Sequence, residues 1–239
     1  MGTSRPSANS IGEVLAANTT RFIAQCPPDR LHHPPALGAF VRILPPGGAA
    51  SPAEPVAARA LLDETFDDPF ADPIPAPPAA LPPAPDETLY ALVISAVTGS
   101  PDPGRRAAAY GLEEAQLREE QPQIFDLLAT EFAALHIGFV KEGRLRPYLP
   151  ARPPRLHAMV EACSPAETCA LTETPDLLRT LLGVTGEVSA DELIAACLRQ
   201  AYECRSRDFT YLVRMGKQLA ILLRDDPDRL AALLRKLEP

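Results

Sequence analysis

The chain has 239 residues, 46% of them hydrophobic, with 5% aromatic residues and no Trp. That is enough for one sizeable domain or two small ones, with a core built from Leu, Ala, Val and Ile. The net charge of −8 argues against a general nucleic-acid binder, because neutralising phosphates takes clustered Lys and Arg.

In chain order, residues 1–9 read as a polar leader that frays. Ile11 to Cys26, IGEVLAANTTRFIAQC, reads as a hairpin with a polar corner at Asn18-Thr19-Thr20. Pro27 and Pro28 end it, since proline cannot donate to a ladder. Gly38 to Leu44 is the next expected strand, stopped by Pro45-Pro46-Gly47-Gly48. Twelve of the 41 residues 45–85 are Pro, and Asp63, Glu64, Asp67, Asp68 and Asp72 make the segment acidic. Such a stretch buries too little apolar surface to offset its ordering entropy, so it reads as an insertion, with a short helix expected at 56–66.

Thr88 to Thr98, TLYALVISAVT, holds no breaker and is apolar on both sides of its alternation. That pattern fits a strand buried on both faces, or a barrel wall. Helix is expected from Leu112 to Glu120. A second helix is expected from Gln121-Pro122, with Ile124, Leu127, Leu128 and Phe132 near helical spacing. Ala133 to Val140 returns to strand, Lys141-Glu142-Gly143-Arg144 is a hairpin turn, and Leu145 to Leu149 runs back. Leu156 to Cys163 is the last expected strand.

Helices follow. Ser164-Pro165-Ala166-Glu167 and Ser189-Ala190-Asp191-Glu192 are capping-box patterns, Thr174-Pro175 is a further start signal, and Asp226-Pro227 caps the last helix. Apolar residues recur at helical spacing behind each start. Helices this short are marginal alone, so they must pack on one another or on the barrel.

With the strands placed, the opening resembles the HAS barrel, the small β-barrel shared by HerA-type DNA translocases and ATP synthase catalytic-ring subunits. Ile11, Gly12, Val14, Thr19, Thr20 and Phe22 match its I-G-x-V, Thr-Thr and aromatic positions, and Gly38 to Ile43 looks like a following strand. Gly138, Gly143, Leu145, Pro147 and Pro150 sit where the family has its later hairpin and G-x-L-x-P-x-x-P run. The fold expected is α+β: an N-terminal small antiparallel β-barrel over 10–163, with the Pro-rich loop 45–85 and helices at 112–132 inserted, then a C-terminal helical bundle over 164–239.

The motor that follows this barrel in HerA-type proteins is not legible. A phosphate-binding loop is G-x-x-x-x-G-K-[ST]. The one Gly-Lys, Gly216-Lys217, is preceded by Tyr211 and followed by Gln218, inside an expected helix. No GxSxG, HExxH or GxGxxG occurs. His32 and His33 read as solvated loop residues, and His136 and His157 as strand residues with one satisfied nitrogen. The five Cys (Cys26, Cys163, Cys169, Cys197, Cys204) lack zinc spacing and read as small buried hydrophobes. Neither enzyme nor cofactor nor metal is expected.

One patch opposes the overall charge: Lys141, Arg144, Arg146, Arg152 and Arg155, with Tyr148 among them and Glu142 alone against them. The resemblance implies a non-catalytic assembly or adaptor protein, with a protein partner or a second copy. The alternative is a nucleic-acid accessory factor in the manner of HerA, working through this basic hairpin. MGTSRPSANS has no apolar run of signal-peptide length, and no window approaches the roughly 18 apolar residues of a membrane span. A reduced, cytoplasmic setting is therefore expected.

Overall fold

The polar corner forms because one side chain does the work of a turn. Asn18 Oδ1 accepts hydrogen bonds from the backbone N–H groups of Thr20 and Arg21 and from Thr20 Oγ1, the local pairing for which Asn is favoured in turns. It joins β1 (Ser10–Ala17) to β2 (Arg21–Gln25). The computed structural model describes residues 10–45, 87–100, 111, 113–120, 123–186 and 188–237. The expected leader, nearly all of the Pro-rich insertion with its helix, and the Gln121-Pro122 helix start lie outside the described residues.

The remaining strands are β3 (Phe40–Ile43), β4 (Thr88–Gly99), β5 (Ala129–Lys141), β6 (Arg144–Arg146) and β7 (Met159–Ala162). They run β2-β1-β7-β3-β4-β5 around one antiparallel sheet, and β5 pairs back onto β2 from Arg21↔Leu135 to Gln25↔Glu131. Six strands thus close into a barrel, with β6 hanging outside as the second arm of a hairpin. Closure leaves these six without a continuous open edge, a recurrent liability of flat sheets.

Alternation fills the barrel. Phe22, Ala24, Val41, Ala91, Val93 and Phe132 are among the side chains that meet inside. On the other side of the same wall Phe40, Tyr90, Leu92 and Ile137 join Leu178, Ile194, Leu198 and Met215 of the helices. This explains the apolar run of β4: odd-numbered Leu89, Ala91 and Val93 face in, while Tyr90 and Leu92 face the helices. A bulge at Ile137, where Tyr90↔Gly138 is followed by Ala91↔His136, lets Ile137 turn out and Phe139 turn in.

The structure corrects several expected boundaries. No helix reaches Phe132; α1 (Glu114–Glu120) and α2 (Gln123–Asp126) are followed by β5 from Ala129. Phe132 pairs with Ala24 on one side and Ala96 on the other, so sheet context overrides its local spacing. The strand expected to run to Leu149 ends at Arg146, ahead of Pro147. β3 begins at Phe40 because Gly38 takes φ +76, and β7 begins at Met159 because His157 takes φ +64.

The C-terminal helices are α3 (Pro165–Leu171), α4 (Asp176–Leu182), α5 (Ala190–Cys204), α6 (Phe209–Leu222) and α7 (Pro227–Arg235). Ser164 and Glu167 form the reciprocal capping box of α3, and Ser189 accepts from Glu192 N at the start of α5. Asp208 and Asp226 cap α6 and α7. At α4 the Thr174-Pro175 signal supplies no side-chain cap. Ser164→Ala removes one arm of the α3 box and should lower stability by about 1 kcal/mol, read as a shift in urea midpoint at constant m-value. Among the described residues no helix is long and apolar enough to cross a membrane.

Candidate interaction surfaces

Among the described residues the C-terminal helices make their apolar contacts with β3, β4, β5 and β6, and the outer side of β1, β2 and the start of β7 is exposed. Leu15, Ile23 and Met159 stand there at 37–39% exposure. Beside them β1 and the segment after β2 part to form a groove of about 540 Å³, lined by Glu13, Gln25, Arg30, His157 and Met159 among others.

His157 shapes one wall of it. The sequence placed this residue on a strand; it sits instead in a turn ahead of β7, in the left-handed region. Its N–H donates to Val14 O (2.8 Å), Val14 N donates to Ala158 O (2.9 Å), and its Nδ1 lies 2.5 Å from Glu13 Oε1. Backbone and side-chain contacts together hold a conformation that a non-glycine residue adopts only at a cost.

The basic hairpin is real as a turn. Glu142 (φ +52) and Gly143 (φ +71) form a two-residue loop between the paired residues Lys141 and Arg144, the geometry that matches strand twist. The basic residues do not form one cluster of equals. Lys141 pairs with Glu87 at 3.3 Å. Arg144 is exposed, and Arg146 is half-buried opposite Phe139. Tyr148 is 58% exposed but rests edge-on against Phe139, with ring centroids 5.2 Å apart. Arg152 and Arg155, both exposed, follow on the irregular segment leading to β7 and not on the hairpin.

Gly216-Lys217 lies mid-way along α6, with its backbone amides inside the helix, and so cannot cradle a phosphate. Among the described residues no group of His, Cys, Asp or Glu is arranged to hold a metal ion. All five cysteines are free; Cys26 and Cys197 are buried, and the other three are half-buried.

No family model matches this chain, and no curated protein matches it.

Two features escaped the sequence. The first is a polar network between barrel and helices. Arg42 on β3 faces its register partner Glu161 on β7. Its Nη2 donates to Glu161 Oε2 at 2.9 Å and its Nη1 to Glu167 Oε1 of α3 at 2.7 Å. Tyr90 Oη on β4 donates to the same Glu167 oxygen at 3.0 Å. Burial pulls the Arg42 guanidinium down, but its bonds to Glu167 and Glu161 outweigh that and raise it. Burial likewise pushes Glu167 up, yet the hydrogen bonds from Ser164, Arg42 and Tyr90 leave it below the ordinary carboxylate value. The capping-box pattern was a visible signal for Glu167; nothing local marked Arg42 as its partner.

The second is His136. It is fully buried on the inner side of β5, 5.5 Å from the Phe22 ring. Neither ring nitrogen has a hydrogen-bond partner, which corrects the expected wall histidine with one satisfied nitrogen. The described side chains lining the barrel interior are apolar and offer a ring nitrogen nothing to bind; the polar group that favours its charged form is the Asn18 backbone. Burial pushes its imidazole down to about 4, outweighing the Asn18 backbone, which acts the other way.

Proposed function

We propose that the chain is a non-catalytic assembly or adaptor protein, using a HAS-like barrel to self-associate or to dock on a larger complex. The observation that carries this reading is the asymmetry of the barrel wall. One outer side is covered by the chain's own helices, while the other presents Leu15, Ile23 and Met159 next to an open groove. Apolar side chains grouped beside a groove and rimmed by Glu13, Arg30 and His157 have the anatomy of a protein contact, an apolar centre with a polar margin. The glycine of the opening motif also has a physical reason here. A Cβ on Gly12 would lie 2.8 Å from the Phe132 ring and 3.0 Å from Gln25 O, so the barrel closes at that point only around a residue without a side chain.

Size-exclusion chromatography with light scattering on the full chain, alone and after affinity capture, tests the proposal. The expected result is an oligomer or a stoichiometric complex that Leu15→Glu combined with Met159→Glu disperses. Both positions are exposed, so the double variant should keep the wild-type melting temperature. A wild-type chain that stays monomeric and retains no partner overturns the reading.

A further inference from the structure

β2 and β5 are far apart in sequence, and the barrel is closed by their short ladder from Arg21↔Leu135 to Gln25↔Glu131. His136 continues this seam: its N–H donates to Thr20 O at 2.9 Å, and its ring reaches inward to Phe22 of β2. On its other flank β5 is held by the far longer β4 ladder, Thr88↔Val140 to Gly99↔Ala129. If β5 parts from a neighbour, the neighbour is therefore β2. Among the described residues no charged side chain inside the barrel would compensate a proton on His136, and the Asn18 backbone, which favours the charged form, is outweighed by burial. Among its buried apolar residues only Cys26 also titrates, and burial pushes that thiol up, so it stays neutral. The charged and titratable groups of the surrounding strands sit on the outer side: Arg21 is exposed, Glu13 meets His157, Arg42 meets Glu161, Tyr90 meets Glu167, and Glu131 alternates with inward Thr130 and Phe132.

We infer that His136 is an acid-sensitive latch on the β2–β5 seam, and that gaining a proton opens the closed ring there, freeing one edge of each strand. The imidazolium needs water or an acceptor. The exposed Asn18–Thr20 corner adjoins the seam, and parting β2 from β5 there admits water while leaving the β2-β1-β7-β3-β4-β5 ladder intact as an open sheet. Such an opening is sub-global, one cooperative unit yielding before the rest. The sign follows from linkage. An imidazole that titrates near 6.5 when exposed and at about 4 in the closed barrel favours closure fully above pH 6.5. That preference fades as pH falls toward 4. Between pH 7.5 and pH 5 the open fraction should rise about 30-fold.

Hydrogen exchange on the full chain at those two pH values, corrected for intrinsic rates, reads this directly. The amides that donate across the seam, those of Phe22, Ala24, Phe132, Ala134 and His136, should lose about 30-fold protection, while Val41 and Leu92 keep theirs. In His136→Phe the seam should be equally protected at both pH values. Unchanged seam protection in the wild type at pH 5 overturns the inference. So does an equal loss across all strands, or the same seam loss in His136→Phe. The wild-type comparison decides even if the variant does not fold.

Discussion

Gly38→Ala should destabilise the protein by about 2–5 kcal/mol, combining a left-handed backbone that costs a non-glycine residue about 1–2 kcal/mol with overpacking of about 1–3 kcal/mol. Gly38 has φ +76, and a Cβ there would lie 2.6 Å from Ala196 Cβ, 2.8 Å from Ala196 C and 2.9 Å from Cys197 N. Two of these neighbours are backbone of α5, buried at the centre of the helical layer, and cannot swing aside. Gly38 also donates to Val93 O at 2.9 Å, so the residue ties the start of β3 to β4 while touching α5. Gly143→Ala is the matched control. Its φ of +71 imposes the same backbone strain, but a Cβ there meets nothing within 4 Å. Urea denaturation of the two variants separates strain from contact. A Gly38→Ala cost no larger than that of Gly143→Ala would show that α5 does not press on this turn.

Arg42→Met should cost about 2–4 kcal/mol at neutral pH, somewhat below the roughly 3–5 kcal/mol for breaking a fully buried pair, because the Arg42 side chain keeps 27% of its exposure. The loss is electrostatic more than steric. Glu161, at 8% exposure, loses its guanidinium bonds, and Glu167 keeps only Ser164 and Tyr90. The pH dependence identifies the cause. Glu167 lies below its ordinary value of 4.5 in the fold, so its contribution is present above that value and is lost as pH falls through the lower, folded one. The penalty of Arg42→Met should therefore be smaller at pH 3 than at pH 7, because the Glu167 contribution that the guanidinium supports fades as pH falls toward its lowered, folded value. Adding Glu161→Leu should recover part of the stability lost in Arg42→Met, since a largely buried carboxylate that has lost its guanidinium is then gone. A penalty that is the same at pH 3 and pH 7, with no recovery in the double variant, would assign the effect to packing alone.

Much of this architecture was legible in the residues. The Asn18 corner, the Glu142-Gly143 turn, the Ser164 box and the apolar run from Leu89 to Val93 each rest on interactions within a few positions, so composition and spacing reveal them. The same locality misled at Phe132, whose spacing from Ile124 and Leu128 suits a helix. It misled at Leu145–Leu149 and at His157 too, where proline and a left-handed residue cut strands short.

By itself, then, the sequence determined the parts: short strands rich in branched residues, turns with the right Gly and Asn, capped helices, and enough apolar surface for a mixed α and β fold. Only the tertiary structure decided that β5 returns to β2 to close the ring, and which outer side the C-terminal helices cover. It alone decided that Arg42 meets Glu161 and Glu167, residues 119 and 125 positions away, and that His136 is sealed inside among apolar side chains. The physical reason is distance along the chain. Turn and cap chemistry is decided between neighbours, whereas strand register, burial and charge pairing depend on which remote segments the closed barrel brings face to face.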